Sequence, residues 1–409
     1  MIVAYRLAGR LAAPYLRRFL HRRAARGKEV SVRLPERYGV TQLLRPEGKL
    51  IWIHAASVGE TMSVLPVIQA LAGKAEVLLT TGTVTSANLA AARLPAFARH
   101  QFVPLDVPGW GKVFLDHWRP DTAVFVESEL WPGLLTECDR RNIPRLLINA
   151  RISATSVRNW RRVPLLARRL LAPFRHVHAQ SAGDAENFRR LGLRDVLEWG
   201  NLKFFTPPLP VDEGKLAAFR EQISAPLWLA ASTHPGEEQI ILQTHRELRA
   251  DFADLITVIV PRHPERGGEI AALAGNAPRR ALGEAPRAGQ IYIADTLGEL
   301  GLFFRAAPFT FIGNSLVGYG GHNVIEPAQL GRPVLTGPHN ENFRQAAALL
   351  RAAGALVEVN DAASLTAAVR HWLRRPDEAE AAGQRAEAAL RTAEDLPLRL
   401  AELILKEAG

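Results

Sequence analysis

The chain has 409 residues, 47% apolar and 22% charged, which excludes a disordered polyelectrolyte and exceeds what one hydrophobic core commonly organises, so two domains are expected. Its one cysteine, Cys138, excludes an internal disulfide framework and fits a reducing compartment. The formal charge of +10 requires a local cause.

That cause begins at the N-terminus. Residues 1–30 hold Arg6, Arg10, Arg17, Arg18, Arg22, Arg23, Arg26 and Lys28 against Glu29 alone. Val3, Leu7, Leu11, Tyr15 and Phe19 recur at fours, with Ala4, Ala8, Ala12, Leu16 and Leu20 alongside. This predicts a helix with an apolar stripe and an arginine face, kinked at Pro14. No uncharged stretch here approaches the roughly 20 apolar residues of a spanning helix. No small-residue cleavage site follows an apolar core. A helix lying in an anionic membrane surface is therefore the expectation. Its rivals are a helix docked on its own domain with a solvated arginine face, a mitochondrial-type presequence and a nucleic-acid arm. The last finds no interleaved aromatics or nucleic-acid motif to support it.

After a polar joint at Arg33–Gly39, strand-like runs at 50–55, 77–81, 122–127, 145–150, 176–181 and 195–200 alternate with helical segments that include Thr61–Ala72, Val84–Arg93 and Ala185–Leu191. Such alternation is the pattern of a parallel sheet covered on both faces. Three prolines and a charged end at 204–214 mark a linker. The pattern then restarts at 227–232, 255–263, 291–295, 309–315, 333–337 and 355–359, with no short repeat of the solenoid kind. The reading is an α/β protein with four parts: a basic segment 1–30, a first Rossmann-like domain 31–203, the linker 204–214, and a second Rossmann-like domain 215–409 that includes the terminal helices. The two doubly wound domains are expected to face a central cleft. Open parallel sheets bind ligands beyond the carboxyl ends of their strands, so chemistry is sought there.

The first strand runs into Ser57-Val58-Gly59-Glu60 at a helix entry, where Glu60 is either a first-turn carboxylate favoured by the helix dipole or a base. Gly59 permits close backbone approach. Strand 122–127 ends in Glu127-Ser128-Glu129, two carboxylates that repel each other unless something uses or compensates them; capping of nearby amides is the structural alternative. Gly200-Asn201-Leu202-Lys203 supplies a cation at the final strand end of this half.

In the second half, Ser232-Thr233-His234 precedes a helix whose free N–H groups could take an anion. Arg262 and His263 end the next strand, with an Arg262–Glu265 pair as the bland alternative. Gly313-Asn314-Ser315 ends another, and Gly320-Gly321-His322-Asn323 forms a glycine-rich turn into a helix carrying Glu326. Each piece alone reads equally well as an ordinary turn or a satisfied loop histidine. Together they describe a phosphate and ribose site, with Glu326 accepting from ribose hydroxyls or serving only the helix dipole.

The motifs HAASVGE (54–60), ESELWPG (127–133), INARIS (148–153), GNLKF (200–204), PRHPER (261–266), DTLGELGLFF (295–304), GNS (313–315), GGHNVIEPA (320–328) and GPHNENF (337–343) resemble those of the Kdo transferases of lipid A assembly. The resemblance runs from residue 34 into the final helices. It implies a GT-B fold, an acceptor-binding first half, and a second half holding the nucleotide of CMP-Kdo. It also implies an N-terminal segment at the cytoplasmic face of the inner membrane and a lipid A precursor as acceptor.

On this resemblance Glu60 is the general base of an inverting transfer. Arg262, Lys203, Ser232, Thr233 and the turn from Gly320 to Asn323 stabilise the departing phosphate. Ser57, Gly59, Glu127, Ser128, Glu129 and Asn201 lie on the acceptor or Kdo side, where the two glutamates orient hydroxyls or hold Lys203. His234, His263, Gly313, Asn314, Ser315 and Glu326 complete the CMP pocket. No metal or cofactor is expected, because a CMP-sugar has no diphosphate to chelate and no His/Cys/carboxylate cluster shows ligand spacing. No nucleic acid and no obligate protein partner are expected. The alternatives are another GT-B nucleotide-sugar transferase, a nucleotide-sugar epimerase, or a non-catalytic nucleotide-dependent membrane adaptor.

Overall fold

Aliphatic runs flanked by turn residues form parallel strands buried on both faces: every residue of β1 (Leu50–His54) is 0% exposed. The computed structural model describes residues 2–128, 130–318, 320–391 and 395–409. The chain divides into a first unit, Met1–Pro207 with Ala393–Gly409, and a second, Pro208–Thr392.

In the first unit β1 is joined by β2 (Glu76–Thr81), β3 (Ala98–Phe102), β4 (Thr122–Val126), β5 (Arg145–Ala150), β6 (Phe174–Ala179) and β7 (Val196–Leu197), all parallel, in the order β3-β2-β1-β4-β5-β6-β7. The helices are α1 (Ile2–Ala25), α2 (Val58–Ala70), α3 (Val84–Arg93), α4 (Trp110–Trp118), α5 (Pro132–Arg140), α6 (Ala154–Arg161), α7 (Pro164–Leu171) and α8 (Ala182–Arg190). One core, on the Leu50 and Trp52 face, takes in α4 to α8; the other, on the Ile51 and Ile53 face, takes in α2.

In the second unit β8 (Leu227–Thr233), β9 (Ile256–Pro261), β10 (Ile291–Ile293), β11 (Thr310–Ile312), β12 (Val334–Thr336) and β13 (Leu356–Glu358) form a parallel sheet ordered β10-β9-β8-β11-β12-β13. Its helices are α9 (Glu213–Glu221), α10 (Glu237–Leu248), α11 (Gly267–Leu273), α12 (Leu300–Ala306), α13 (Ile325–Ala328), α14 (Arg344–Ala352), α15 (Ala362–Arg374) and α16 (Pro376–Leu390). The strand order of each sheet reverses once, between β1 and β4 and between β8 and β11, and open parallel sheets take ligands at such strand ends.

Three features depart from the sequence reading. The final helix, α17 (Leu396–Glu407), belongs to the first unit, not the second: Leu396, Leu400, Ala401 and Ile404 bury against Val64, Val67, Ile68 and Leu71. An apolar stripe states that a helix docks, not where. Strand β3 was not expected, because its sequence ARHQF lacks an apolar run. Its polar groups find local partners instead: Trp118 Nε1 donates to Gln101 at 2.7 Å, and Arg99 pairs with Glu76.

The third concerns α1, which is docked and amphipathic at once. Leu20 is buried, Tyr5 donates to Asp106 at 2.7 Å, and a side chain at Gly9 would collide with Pro108. The stripe of Leu7, Leu11, Tyr15 and Phe19 nevertheless faces solvent at 58%, 74%, 68% and 44% exposure. No helix among the described residues is long and apolar enough to cross a membrane.

Candidate active site

The loop leaving β1 enters α2 one turn earlier than its apolar pattern suggests, because Ser57 caps the helix. Its Oγ accepts from the Glu60 N–H at 3.3 Å and donates to Glu60 Oε1 at 2.7 Å, while Glu60 Oε2 accepts from the Ala56 N–H at 2.9 Å. This reciprocal arrangement is a capping box in all but the donor's register. Glu60 thus meets the helix-start expectation. It stabilises the helix start, and the two donors fix the carboxyl group, 8% exposed, with a second lone pair on each oxygen. Gly59 is open: a Cβ there would meet nothing within 4 Å. The fold does not require a glycine at this position, and its absence of a side chain leaves room above the helix entry.

At the end of the neighbouring β4, Glu127 adopts a left-handed backbone (φ 56°), and its Oε1 pairs with Lys203 Nζ at 2.6 Å, both side chains largely buried. Lys203 thus compensates Glu127. Ser128 is exposed beside it, and Glu129 lies outside the described residues. Lys203 is carried by a 3₁₀ turn, Leu202–Phe205, capped by Asn201, whose Oδ1 accepts from the Lys203 N–H at 3.0 Å. Asn149, also left-handed (φ 49°), accepts from the Leu202 N–H at 3.0 Å and ties this turn to β5. Asn201 is therefore a positioning residue in its described contacts.

In the second unit the reversal point is organised by a residue the sequence reading passed over. Glu237, 0% exposed in the first turn of α10, accepts from His234 N (3.0 Å), Asn314 N (2.7 Å), Ser315 N (2.9 Å) and Leu316 N (3.0 Å). It stitches the end of β8 to the end of β11. Of the N–H groups in the Ser232–His234 turn expected to await an anion, that of His234 is already filled by a carboxylate of the chain. The signal was present as the residue directly after Pro235-Gly236, where a first-turn glutamate can turn back toward its own cap.

Two further expectations are corrected. The Thr233 hydroxyl is buried and donates to Glu238 Oε1 at 3.1 Å, and Glu238 in turn binds Arg266 at 2.7 Å. The Ser315 hydroxyl donates to the Ile312 carbonyl at 2.6 Å and accepts from the Gly337 N–H at 2.8 Å. Both hydroxyls are engaged in holding the loops. Gly313 is required where it stands, since a Cβ would meet the Ser232 carbonyl at 2.6 Å and Glu237 Oε2 at 2.7 Å.

Other expected residues do converge. His234 and His322 stack with ring centroids 5.1 Å apart and Nε2 atoms 2.9 Å apart, and His263 meets His234 edge-on at 5.8 Å. Burial lowers the pKa of His322 to about 4, assisted by His234 and Arg262, and lowers that of His234. Both rings are neutral at pH 7. Arg262 is exposed and makes no ion pair with Glu265 or any other described residue; Glu265 instead lies 3.6 Å from His263. Burial raises Glu326 to about 7, opposed by a hydrogen bond from Asn323 and by the charge of Arg262.

The Gly320–Gly321 turn (φ 89° and 73°) closes on this group: Gly321 N donates to Asn314 O at 2.8 Å, and His322 N to Gly313 O at 3.2 Å. A guanidinium without an ion pair among the described residues, beside imidazoles and an ionisable carboxyl group, has the chemistry to bind an anion carrying hydroxyls. Of the seven non-glycine residues described with positive φ, four (Glu127, Asn149, Ser232 and Asn314) stand at strand ends in these two places. Strain of that kind is tolerated where surrounding contacts dictate it.

Residues 32–206 match the family model described as 3-Deoxy-D-manno-octulosonic-acid transferase (kdotransferase). The chain is 35% identical over 325 residues to the 3-deoxy-D-manno-octulosonic acid transferase of Rickettsia bellii, covering 76% of each chain. It is 35% identical over 402 residues to the probable mitochondrial 3-deoxy-D-manno-octulosonic acid transferase of Arabidopsis thaliana, covering 92% of this chain and 89% of the relative. Among solved structures, a glycosyltransferase from Rickettsia africae aligns with a TM-score of 0.60 at 14% identity, over 89% of this chain and 99% of that one, which establishes a shared fold.

Proposed function

The chain belongs to the 3-deoxy-D-manno-octulosonic acid (Kdo) transferase family, and we propose that it moves Kdo from CMP-Kdo to a hydroxyl of a lipid A precursor, releasing CMP. We infer that it does so with inversion, at the cytoplasmic face of the inner membrane, held there by the exposed stripe and arginines of α1.

A sugar hydroxyl is a poor nucleophile at neutral pH. In the proposed step its oxygen attacks the anomeric carbon of Kdo, its proton passes to Glu60, and the bond from that carbon to the CMP oxygen breaks with its electron pair on the phosphate. A positioned base contributes about 10²- to 10⁴-fold. The donors from Ser57 and Ala56 hold the Glu60 carboxyl in a single orientation for that transfer. The Glu127–Lys203 pair presents polar atoms to Kdo or the acceptor at the neighbouring strand end.

The observation that carries the donor assignment is Arg262, a cation with no partner among the described residues, set against histidines kept neutral by burial. We assign it to the phosphate of CMP, where it offsets the charge gained as the monoester leaves. His234, His322 and the Gly320–Asn323 turn line that position, and Glu326 takes ribose hydroxyls. The proposed step uses no metal, since a single phosphate bridging nucleoside and sugar offers no diphosphate chelate. The experiment is Glu60→Gln, with Kdo transfer and CMP binding both measured. Transfer should fall by at least about 10²-fold with CMP affinity unchanged; near-parental transfer refutes the base assignment.

A further inference from the structure

Residues 151–175 contain seven arginines and no acidic residue, a net +7 equal to that of residues 1–30, so the rest of the chain is −4 against the total of +10. The basic excess therefore resides wholly in two segments of the first unit, and the second has no role in the transfer chemistry above. It forms α6 and α7. Their inner face, Val157, Ala167, Leu170 and Leu171, is buried in the core. Their outer face carries Arg158, Arg161, Arg162, Arg168 and Arg169, with Arg175 just beyond, all exposed. Leu165 stands between the two arginine pairs at 82% exposure.

None of these six arginines makes an ion pair among the described residues. The side-chain contacts of Arg158 and Arg162 are to neutral Thr155 and Asn159 at 3.0 and 3.4 Å. Asp139, on which Arg169 acts, is already held by Arg145 at 2.7 Å. A cluster of like charges kept unpaired around an exposed leucine is costly for an isolated surface and suits one that meets fixed negative charge above an apolar layer. Its place in the unit agrees. Helix α7 packs on α5 and α5 on α4, while α1 lies against the start of α4, with Arg17 over Trp110 and Gly9 against Pro108. The α6–α7 surface and α1 are thus linked through neighbouring helices of the first unit.

We propose that the outer face of α6 and α7 is a second membrane-contacting surface, in which the arginines bind anionic phospholipid headgroups and Leu165 enters the interface. The proposal rests on the membrane reading of the chain but not on α1. The test is sedimentation of the full chain with vesicles of phosphatidylcholine alone or with about one-third phosphatidylglycerol. At ~1 kcal/mol, about fivefold, for each basic residue at an anionic surface, R161Q/R162Q/R168Q/R169Q should weaken anionic-vesicle binding on the order of several hundredfold. Its melting temperature should stay at the parental value. In Leu165→Trp, indole emission should shift to the blue with anionic vesicles and not with zwitterionic ones.

Parental binding by the fourfold variant, or an unmoved Leu165→Trp emission, overturns the proposal. If the companion variant L7S/L11S/Y15S loses binding while the fourfold variant keeps it, attachment through α1 stands and the second surface falls. If the parent binds neither vesicle, both fall. Loss of oligonucleotide binding in the fourfold variant, with vesicle binding intact, would identify a nucleic-acid surface and also refute the proposal.

Discussion

Glu237→Gln isolates the organising role of a residue that touches no proposed ligand atom. In the parent, one carboxylate oxygen serves the His234 and Asn314 N–H groups and the other those of Ser315 and Leu316. The amide keeps one acceptor oxygen and turns an NH₂ toward two N–H donors, in a place with no exposure to water. Hydrogen bonds to a charged acceptor contribute about 1.5–3 kcal/mol each, so losing two costs about 3–6 kcal/mol, a large part of a domain's stability. The loop released carries Asn314, whose carbonyl anchors the Gly321 N–H at 2.8 Å, so the glycine turn loses its seat as well. Urea unfolding followed by tryptophan emission, with Trp228 and Trp372 reporting on the second unit, measures the first effect. Calorimetric titration with CMP measures the second, with at least about tenfold weaker binding expected. A stability change below about 1 kcal/mol with unaltered CMP affinity refutes the reasoning.

Arg262→Ala should behave in the opposite way: with no described partner to lose, stability should hold within about 0.5 kcal/mol, while CMP binding weakens at least about tenfold in calorimetry. Gly321→Ala forces a Cβ to within 2.7 Å of the His339 carbonyl at φ 73°, so it should cost about 1–3 kcal/mol in urea unfolding and raise the KM for donor.

Burial holds His178 and His245 at about 4 and His100 at about 3 in the fold, so between pH 6.5 and those values the unfolded chain binds the extra protons. Their contribution to stability is complete above pH 6.5 and is lost as pH falls toward 4; unfolding midpoints should drop across that window, and a flat profile contradicts the assignment. Glu326, raised to about 7, should ionise as pH climbs through 7 and strengthen CMP binding, a rise that Glu326→Gln should lack in titrations from pH 6 to 8.

Much of this architecture was legible because buried parallel strands must be apolar along their length, which the runs around Ile53, Val124, Leu229 and Ile259 make plain. The strand β3 was not, since polar residues such as Gln101 and Arg99 meet Trp118 and Glu76 across space, which spacing along the chain does not show. Nor was the return of α17, whose stripe fits either unit.

In the sites, the sequence exposed the residue types at strand ends but not which of them face inward. Thr233 and Ser315 looked like ligand groups and are internal ties, whereas Glu237, which no motif singled out, holds two loops together. Hydrogen-bond direction decides such roles, and one-dimensional spacing does not encode it. The motif resemblance carried the activity further than the residues alone, and the relatives, all transferases by name, set aside the adaptor reading.

The central claim is that Glu60 activates an acceptor hydroxyl for Kdo transfer from a nucleotide bound at Arg262. Mass spectrometry of the lipid after incubation with CMP-Kdo and a lipid A precursor tests it most directly, run on the parent, Glu60→Gln and Arg262→Ala. The account predicts Kdo-bearing lipid from the parent, essentially none from Glu60→Gln despite intact CMP binding, and a yield from Arg262→Ala that recovers with donor concentration. Parental yields from Glu60→Gln, or no Kdo adduct from the parent, would contradict it.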